Sequence, residues 1–254
     1  MADDRNITVS TALSDKLLFA QMEGFDEISQ CFRYEIGLVS KDINLKAEDI
    51  LGTPATITVR IPEAKRFIHG FVAEFAFQEY REDYAHYRAV LRPWMWFLSN
   101  RSDNRIFQKK SVVEIIEEVF KAYPDAKVEK RLKKSYPPRD YCVQYRESDL
   151  NFVQRLMEHE GMFYHFDHAD GEHTLVLTDA NSAVKDAEGF ATIKFRGEAG
   201  NVIGQDDVIS SLLPRASVRS GAYVHTDYDF KKPATDLMTK SDAPKPHKLG
   251  EGEL

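Results

Sequence analysis

Cysteine is scarce. The 254 residues hold two, Cys31 and Cys142, too few for a disulfide framework or a thiolate zinc site. Each sits among apolar neighbours in an expected strand and reads as a buried free thiol. No apolar run approaches the roughly 20 residues of a bilayer-spanning helix. Surplus positive charge is also missing: 41 acidic against 34 basic residues leave a formal charge of −7, which argues against a general nucleic-acid binder. The start, Met-Ala-Asp-Asp-Arg, has neither a basic n-region nor an apolar h-region, so any export is expected to need no cleaved signal. There is no GxSxG elbow, no glycine loop that would cradle phosphate, no HExxH helix and no repeat of solenoid period. The common hydrolase, nucleotide-binding and metalloprotease signatures are thereby excluded.

What remains is a chain of 43% hydrophobic and 30% charged residues, the composition of a soluble globular protein. Its length suits one large domain or two ordinary ones and allows roughly 70–75% of the unfolded surface to be buried. Residues 6 to about 98 alternate with period two. Strands are expected at Ile7–Val9, Leu17–Glu23, Phe32–Val39 and Ala55–Ile61, the last closed by Pro62. A helical turn is expected at Ala47–Leu51. Arg66–Glu82 is long and aromatic, with Phe71, Ala73, Phe75 and Phe77 on one face and a bulge or bend at Gly70. Tyr84–Arg92 returns across Asp83 as its hairpin partner. Long hairpins at this spacing indicate a barrel or strongly curved sheet.

Pro93–Leu98 (PWMWFL) then marks a strand-to-helix corner, with its tryptophans as core anchors or, alternatively, as an exposed ligand platform. Ser102–Lys110 reads as a polar connection. Ser111 and Glu114 form a capping box that starts a helix at Val112, and Tyr123–Pro124 ends it. Lys127–Lys134 is basic and reads as a solvated strand or loop, with phosphate contact as the alternative.

The most organised stretch is Tyr141–His168. Tyr141, Val143 and Tyr145 alternate with Cys142 and Gln144 as a half-buried strand does. Ser148 stands at a helix N-cap position, with Asp149 in the first turn at the positive end of the dipole. Leu150, Val153, Leu156 and Met157 form the apolar stripe, and Gly161 suits a left-handed C′ position. A hairpin follows: Met162–His168, a turn at Ala169–Asp170–Gly171, and His173–Thr178. Later, Phe190–Phe195 and Tyr223–Phe230 are expected strands, and Lys231 onward reads as linker or tail. The organisation is mainly β with an α+β insert near 100–180, then β again.

Candidate chemistry is thin. His165, His168 and His173, with Asp167 and Asp170, form the only cluster resembling a metal site, but without the spacing of a ligand triad. Glu158 and Glu160 with Asp167 could supply a carboxylate pair. Cys142 as a nucleophile would need a base and a shifted pKa. No catalytic, cofactor-binding or metal residue is assigned.

The order of segments resembles a known family. Phe19, Gly24, Ile28, Phe32, Tyr34, Leu38, Leu51, Gly52, the run Arg66–Gly70, then Tyr87–Leu91–Pro93–Trp94, and above all YRESDLNFVQRLMEHEGMFYHFDH are similar to VgrG, the spike protein of type VI secretion systems. The resemblance covers about Ile7 to Tyr228. It implies a phage baseplate-hub-like fold of β-barrel tube domains with an inserted helix-containing α/β domain. Residues 1–100 would then be the first tube-type barrel, completed by about 202–232, with 101–201 inserted and 233–254 a linker or the start of a next, truncated domain.

The resemblance implies no enzyme and no cofactor. It implies a homotrimer in the full-length form, a hexameric inner-tube protein, baseplate subunits and effectors or adaptors as partners. The protein would assemble in the bacterial cytoplasm and then be secreted, without a signal peptide, into the medium or a target cell. Family members continue into a further barrel and a β-helix needle, whereas this sequence ends at Leu254 in what reads as linker. A phage or phage-like tail hub is the alternative within the architecture. A metal-dependent hydrolase using His165, His168 and His173 is the alternative from another class.

Overall fold

The period-two alternation of the first hundred residues builds one antiparallel sheet. The structure, a computed structural model, describes residues 5–61, 64–184, 192–195, 208–209, 211–215 and 220–242. It divides into two compact units, Met1–Glu188 and Gly189–Leu254.

In the first unit, β1 (Ile7–Ser10), β2 (Leu18–Phe25), β3 (Arg33–Ser40), β4 (Pro54–Ile61), β5 (Ala64–Arg81) and β6 (Tyr84–Arg92) pair in the order β1-β4-β5-β6-β3-β2. Every pairing is antiparallel. A short 3₁₀ turn, Ala47–Asp49, stands where the helical turn was expected. Pro62 lies outside the described residues. Strand β5 is long enough to serve two partners, β4 through Phe71 and β6 beyond it. The edge strands β1 and β2 touch, so the sheet curls into a half-barrel. On β3, Tyr34, Ile36, Leu38 and Ser40 are buried, and on β6 Ala85, Tyr87, Ala89 and Leu91 share that interior. The β5–β6 turn places both Glu82 and Asp83 at positive φ (52° and 64°), the backbone of a type I′ hairpin.

The expected face of Phe71, Ala73, Phe75 and Phe77 is not continuous. The register shifts between Val72 and Glu74, and again between Phe77 and Glu79. Phe71 and Val72 are therefore both buried, while Phe77 is 49% exposed. Phe75 still stacks on Tyr87 (5.1 Å, 10°). Gly70 is not the bulge. A Cβ there would lie 3.1 Å from the Arg92 carbonyl oxygen and 3.2 Å from the Phe32 ring, so glycine admits the close approach.

The α+β part follows. A 3₁₀ turn (Trp94–Asn100) leads into β7 (Ser102–Phe107), α1 (Val112–Phe120), β8 (Val128–Arg131), β9 (Cys142–Ser148), α2 (Asp149–Glu160), β10 (Phe163–Ala169) and β11 (Glu172–Thr178). Strands β10, β11 and β8 form a three-stranded sheet in that order, with β8 parallel to β11; β7 pairs with β9. The capping box forms as expected: the Ser111 hydroxyl accepts from the Glu114 N–H, and the Glu114 carboxylate accepts from the Ser111 N–H at 2.7 Å. Ser148 caps α2 by accepting from the Asn151 N–H at 3.1 Å, and Gly161 ends it at φ 70°.

One expectation changes here, and one, the buried thiol of Cys142, holds. Ser102–Phe107 is a strand, because it pairs with β9 despite its polar sequence. The buried face of β9 is Cys142 and Gln144, whereas Tyr141 and Tyr145 are 57% and 62% exposed. Alternation defines two faces of a strand but not which one faces inward.

One apolar core runs from Leu17 to Leu177, through both the half-barrel and the α+β part. In the second unit, β12 (Lys194–Phe195) pairs in parallel with β13 (Val208–Ile209), and β14 (Ala222–His225) is antiparallel to β15 (Thr239–Asp242). Residues 190–191 of the expected strand at 190–195 lie outside the described residues, as do 202–207, 210 and 216–219 of the stretch expected to complete the first barrel. The strand expected to run to Phe230 stops at His225. The stretch read as a tail contains β15, whose Thr-Lys-Ser-Asp sequence offers no apolar pattern.

Leu156 is fully buried on α2. Leu156→Ala is expected to lower stability by about 2–5 kcal/mol. A denaturation midpoint unchanged from wild type would overturn the packing role of this helix.

Candidate functional site

Three imidazoles meet where the β10–β11 hairpin lies against β5, and they are not the three that the sequence grouped. The pleat separates the expected cluster. His165 and Asp167 share the outer face, with His165 Nε2 3.5 Å from Asp167 Oδ1. His168 points to the opposite face and sits in register with His173 across the Asp170–Gly171 turn. The third imidazole comes from His69 on β5. Sequence inspection includes His69 only within the run Arg66–Gly70, and no short-range pattern ties it to a hairpin a hundred residues later.

The contacts assign the protons on two of these rings. The Trp94 N–H donates to His173 Nε2 at 3.0 Å. The His173 proton therefore sits on Nδ1, which lies 2.8 Å from His69 Nδ1 and donates to it. The His69 proton is then on Nε2, a buried atom with no hydrogen-bond partner. His168 Nδ1 lies 3.1 Å from both the N–H and the carbonyl oxygen of His69. Aromatic rings surround the group: Phe32 is 5.0 Å from His168 and 5.5 Å from His173, and Phe71 and Phe166 present T-shaped contacts to His173.

Burial disfavours the charged imidazolium. It lowers His69 to about 4, helped by repulsion from His168. It lowers His173 to about 3, helped by His69 and His168. His168 is also lowered by burial, against the pull of Asp26.

This arrangement does not support the metal-dependent hydrolase. His165 is on the wrong face. The 2.8 Å between the two Nδ1 atoms is a hydrogen bond, and two nitrogens each about 2.0–2.1 Å from a zinc ion in tetrahedral array stand farther apart. Among the described residues no three His, Cys, Asp or Glu side chains form a metal-holding group. Two of the other candidate carboxylates are paired elsewhere. Glu160 pairs with Arg139, and Asp167 with Arg131. Cys142 is buried, and burial pushes the Cys31 thiol up to about 12. Lys127 and Lys130 pair with Glu172 and Glu117. Trp94 is buried edge-on to Phe120 (4.9 Å, 89°), and Trp96 lies under the Arg92 guanidinium.

The second polar centre is Asp149. Expected as a first-turn acid, it is fully buried and holds four elements together. It pairs with Arg105 of β7, and Arg101 stands 3.8 Å away. It accepts from Gln144 Nε2 of β9 at 2.9 Å and from the Tyr123 hydroxyl beyond α1 at 3.1 Å. Gln144 Oε1 in turn accepts from Arg105 Nε at 2.8 Å. Burial, and then the Asp149 charge, pushes the Tyr123 hydroxyl up to about 12. Asp179, which nothing in the sequence marks, accepts from the N–H groups of Lys133 and Lys134 at 2.8 and 2.9 Å and from the Tyr136 hydroxyl at 2.8 Å. Burial would raise its carboxyl, but these donors outweigh it and hold it below the usual range. Both carboxylates tie chain segments together, and both oxygens of each accept from protein donors.

Comparison with known proteins follows the same direction. The phage tail baseplate hub (GPD) family matches residues 26–253. The type VI secretion system spike protein VgrG1a of Pseudomonas aeruginosa is 38% identical over 241 residues, 94% of this chain and 37% of that protein. VgrG1b of the same organism is 35% identical over 98% of this chain and 34% of its own length. The chain thus spans about a third of the length of these relatives. A solved Escherichia coli protein, described as a component of the type VI secretion system similar in structure to T4 bacteriophage tail proteins, superposes with a TM-score of 0.58 at 26% identity. It covers 77% of this chain and 50% of its own. A tail protein from Neisseria meningitidis shares the fold at a TM-score of 0.58 and 11% identity, over 96% of this chain and 69% of its own.

Asp149→Ala would remove the buried acceptor shared by Arg105, Gln144 and the Tyr123 hydroxyl, leaving Arg105 only Asp103, 3.7 Å away, as counter-charge, and is expected to cost about 3–5 kcal/mol. His165→Ala is expected to stay within about 0.5 kcal/mol of wild type. Urea titration of the two variants checks both; equal losses would sink the assignment.

Proposed function

The chain belongs to the phage tail baseplate hub (GPD) family, with VgrG spike proteins among its relatives, and we propose that it builds the hub of a type VI secretion spike. The hub joins an inner tube to a puncturing needle and helps carry effectors. The observation that carries this reading is identity of 38% along 94% of the chain to a spike protein. The polar architecture agrees with a structural role. Asp149 and Asp179 spend their charge on cross-linking the fold. On the sheet, the half-buried Arg33, Glu35 and Arg88 and the exposed Glu74 pair with one another.

We take the working form to be a homotrimer whose barrels ring an axis and meet a hexameric tube protein, with baseplate subunits and effectors or adaptors as further partners. Assembly takes place in the bacterial cytoplasm, and release into the medium or a target cell needs no signal peptide. The hub region performs no catalysis of its own. A relative named as an actin cross-linking toxin fits this division, since the match, at 33% identity, covers 82% of this chain but 19% of that protein. A phage tail hub is the second reading. A tail protein from Neisseria meningitidis and a prophage tail protein from Shewanella oneidensis share the fold at 11% and 16% identity, which is less than the spike relatives share in sequence.

The test uses the full-length protein, tagged in its own bacterium. It should scatter light as three copies at micromolar concentration and co-purify with a tube protein and baseplate subunits. Deleting its gene should stop release of the tube protein. A monomer without tube partners would sink the proposal. Recovery of phage head and tail proteins instead would establish the second reading.

A further inference from the structure

We propose that the His69–His173 pair is an acid-sensitive latch, which holds the β10–β11 hairpin on β5 while neutral and releases it when protonated. The geometry carries the inference. His173 Nε2 must accept from the Trp94 N–H, and a single proton lies between the two Nδ1 atoms. A further proton on His173 would set one N–H against the Trp94 N–H. A further proton on His69 Nδ1 would set it against the N–H of His173. Each protonation therefore removes a hydrogen bond across the seam as well as burying a charge.

The surroundings offer that charge little relief. Phe32, Phe71 and Phe166 supply ring contacts rather than counter-ions. Asp26, in the loop after β2, stands 3.9 Å from Nε2 of His168, not of His69 or His173. Arg66 of β5 and Asp167 of β10 act on His168 with opposite sign. Glu172 of β11 and Asp125 favour charge on His69, and Lys127 opposes it; Lys127 and Glu172 are paired with each other. Protons have a route in, because His69 and His173 line a cleft of about 470 Å³ between the Gly52–Pro54 turn and the loop before β8.

The direction with pH follows. Both imidazoles titrate lower folded than unfolded. Their contribution to docking is complete above about pH 6.5 and is lost as pH falls from there towards about 4. Each histidine neutral when folded and charged when unfolded lowers the folding constant about tenfold per pH unit in that window.

The test measures backbone hydrogen exchange of the full chain from pH 7.5 to 4.5, corrected for intrinsic rates. Protection in Phe163–Thr178, and at the Trp94 amide, should fall at least about tenfold between pH 6.5 and 4.5. Amides of the β3–β6 pairing should change less. His69→Gln/His173→Gln should flatten that dependence, while His165→Gln should retain it. Uniform loss across both regions, constant protection in the hairpin, or an unchanged slope in the double variant would overturn the latch. If the double variant does not fold, the wild-type profile decides between local and uniform loss.

Discussion

An 18-residue strand can be paired along its length only if two other strands share it, and β5 imposes that condition on the whole half-barrel. Its first half lies on β4 and its second on β6. The handover occurs near Phe71, where the register slips and two consecutive residues turn inward. A flat strand could not do this. The bulge adds local twist, and the twist brings the distant edges β1 and β2 into contact. Just before the handover sit His69 and Gly70, so the bend also presents the imidazole and the open backbone on which the α+β part docks.

That docking joins two kinds of structure under one core. Phe32 lies within ring contact of Phe166, His168 and His173, and Trp94 links the half-barrel to α1 through Phe120. The polar groups inside this junction are few and specific. Asp149 gathers β7, β9, the end of α1 and the start of α2 around one carboxylate, and Asp179 closes the loop after β8. Such buried charges are costly to remove singly and do not by themselves make a protein more stable than apolar packing would. What they supply is a unique arrangement of segments whose own sequences, such as Ser-Asp-Asn-Arg, carry weak preferences.

Much of the fold was legible before the structure. The capping box at Ser111, the N-cap at Ser148, the left-handed glycine at Gly161 and the hairpin turn at Gly171 are set by interactions within four residues. Local chemistry is enough to reveal them. The curved sheet was legible from the spacing of several strands and their long hairpins. The candidate site was legible only in part. His168 and His173 were brought together by a two-residue turn, which a sequence can signal. His165 was grouped with them by proximity in the chain, although the pleat puts it on the other face.

The sequence by itself therefore determined where α1 starts and where α2 starts and ends, that the chain is mainly β with a helical segment, and the family to which it belongs. Tertiary structure alone decided that the polar Gln144 is buried beside Cys142 on β9, that Ser102–Phe107 is a strand, and that His69 completes the histidine group. The reason is physical. Alternation has a period but no sign, so the inward face is chosen by what packs above it. Gln144 is turned inward because the buried Asp149 and Arg105 need its amide. His69 meets His173 because a long strand bends, and no pattern shorter than the bend could have placed them 2.8 Å apart.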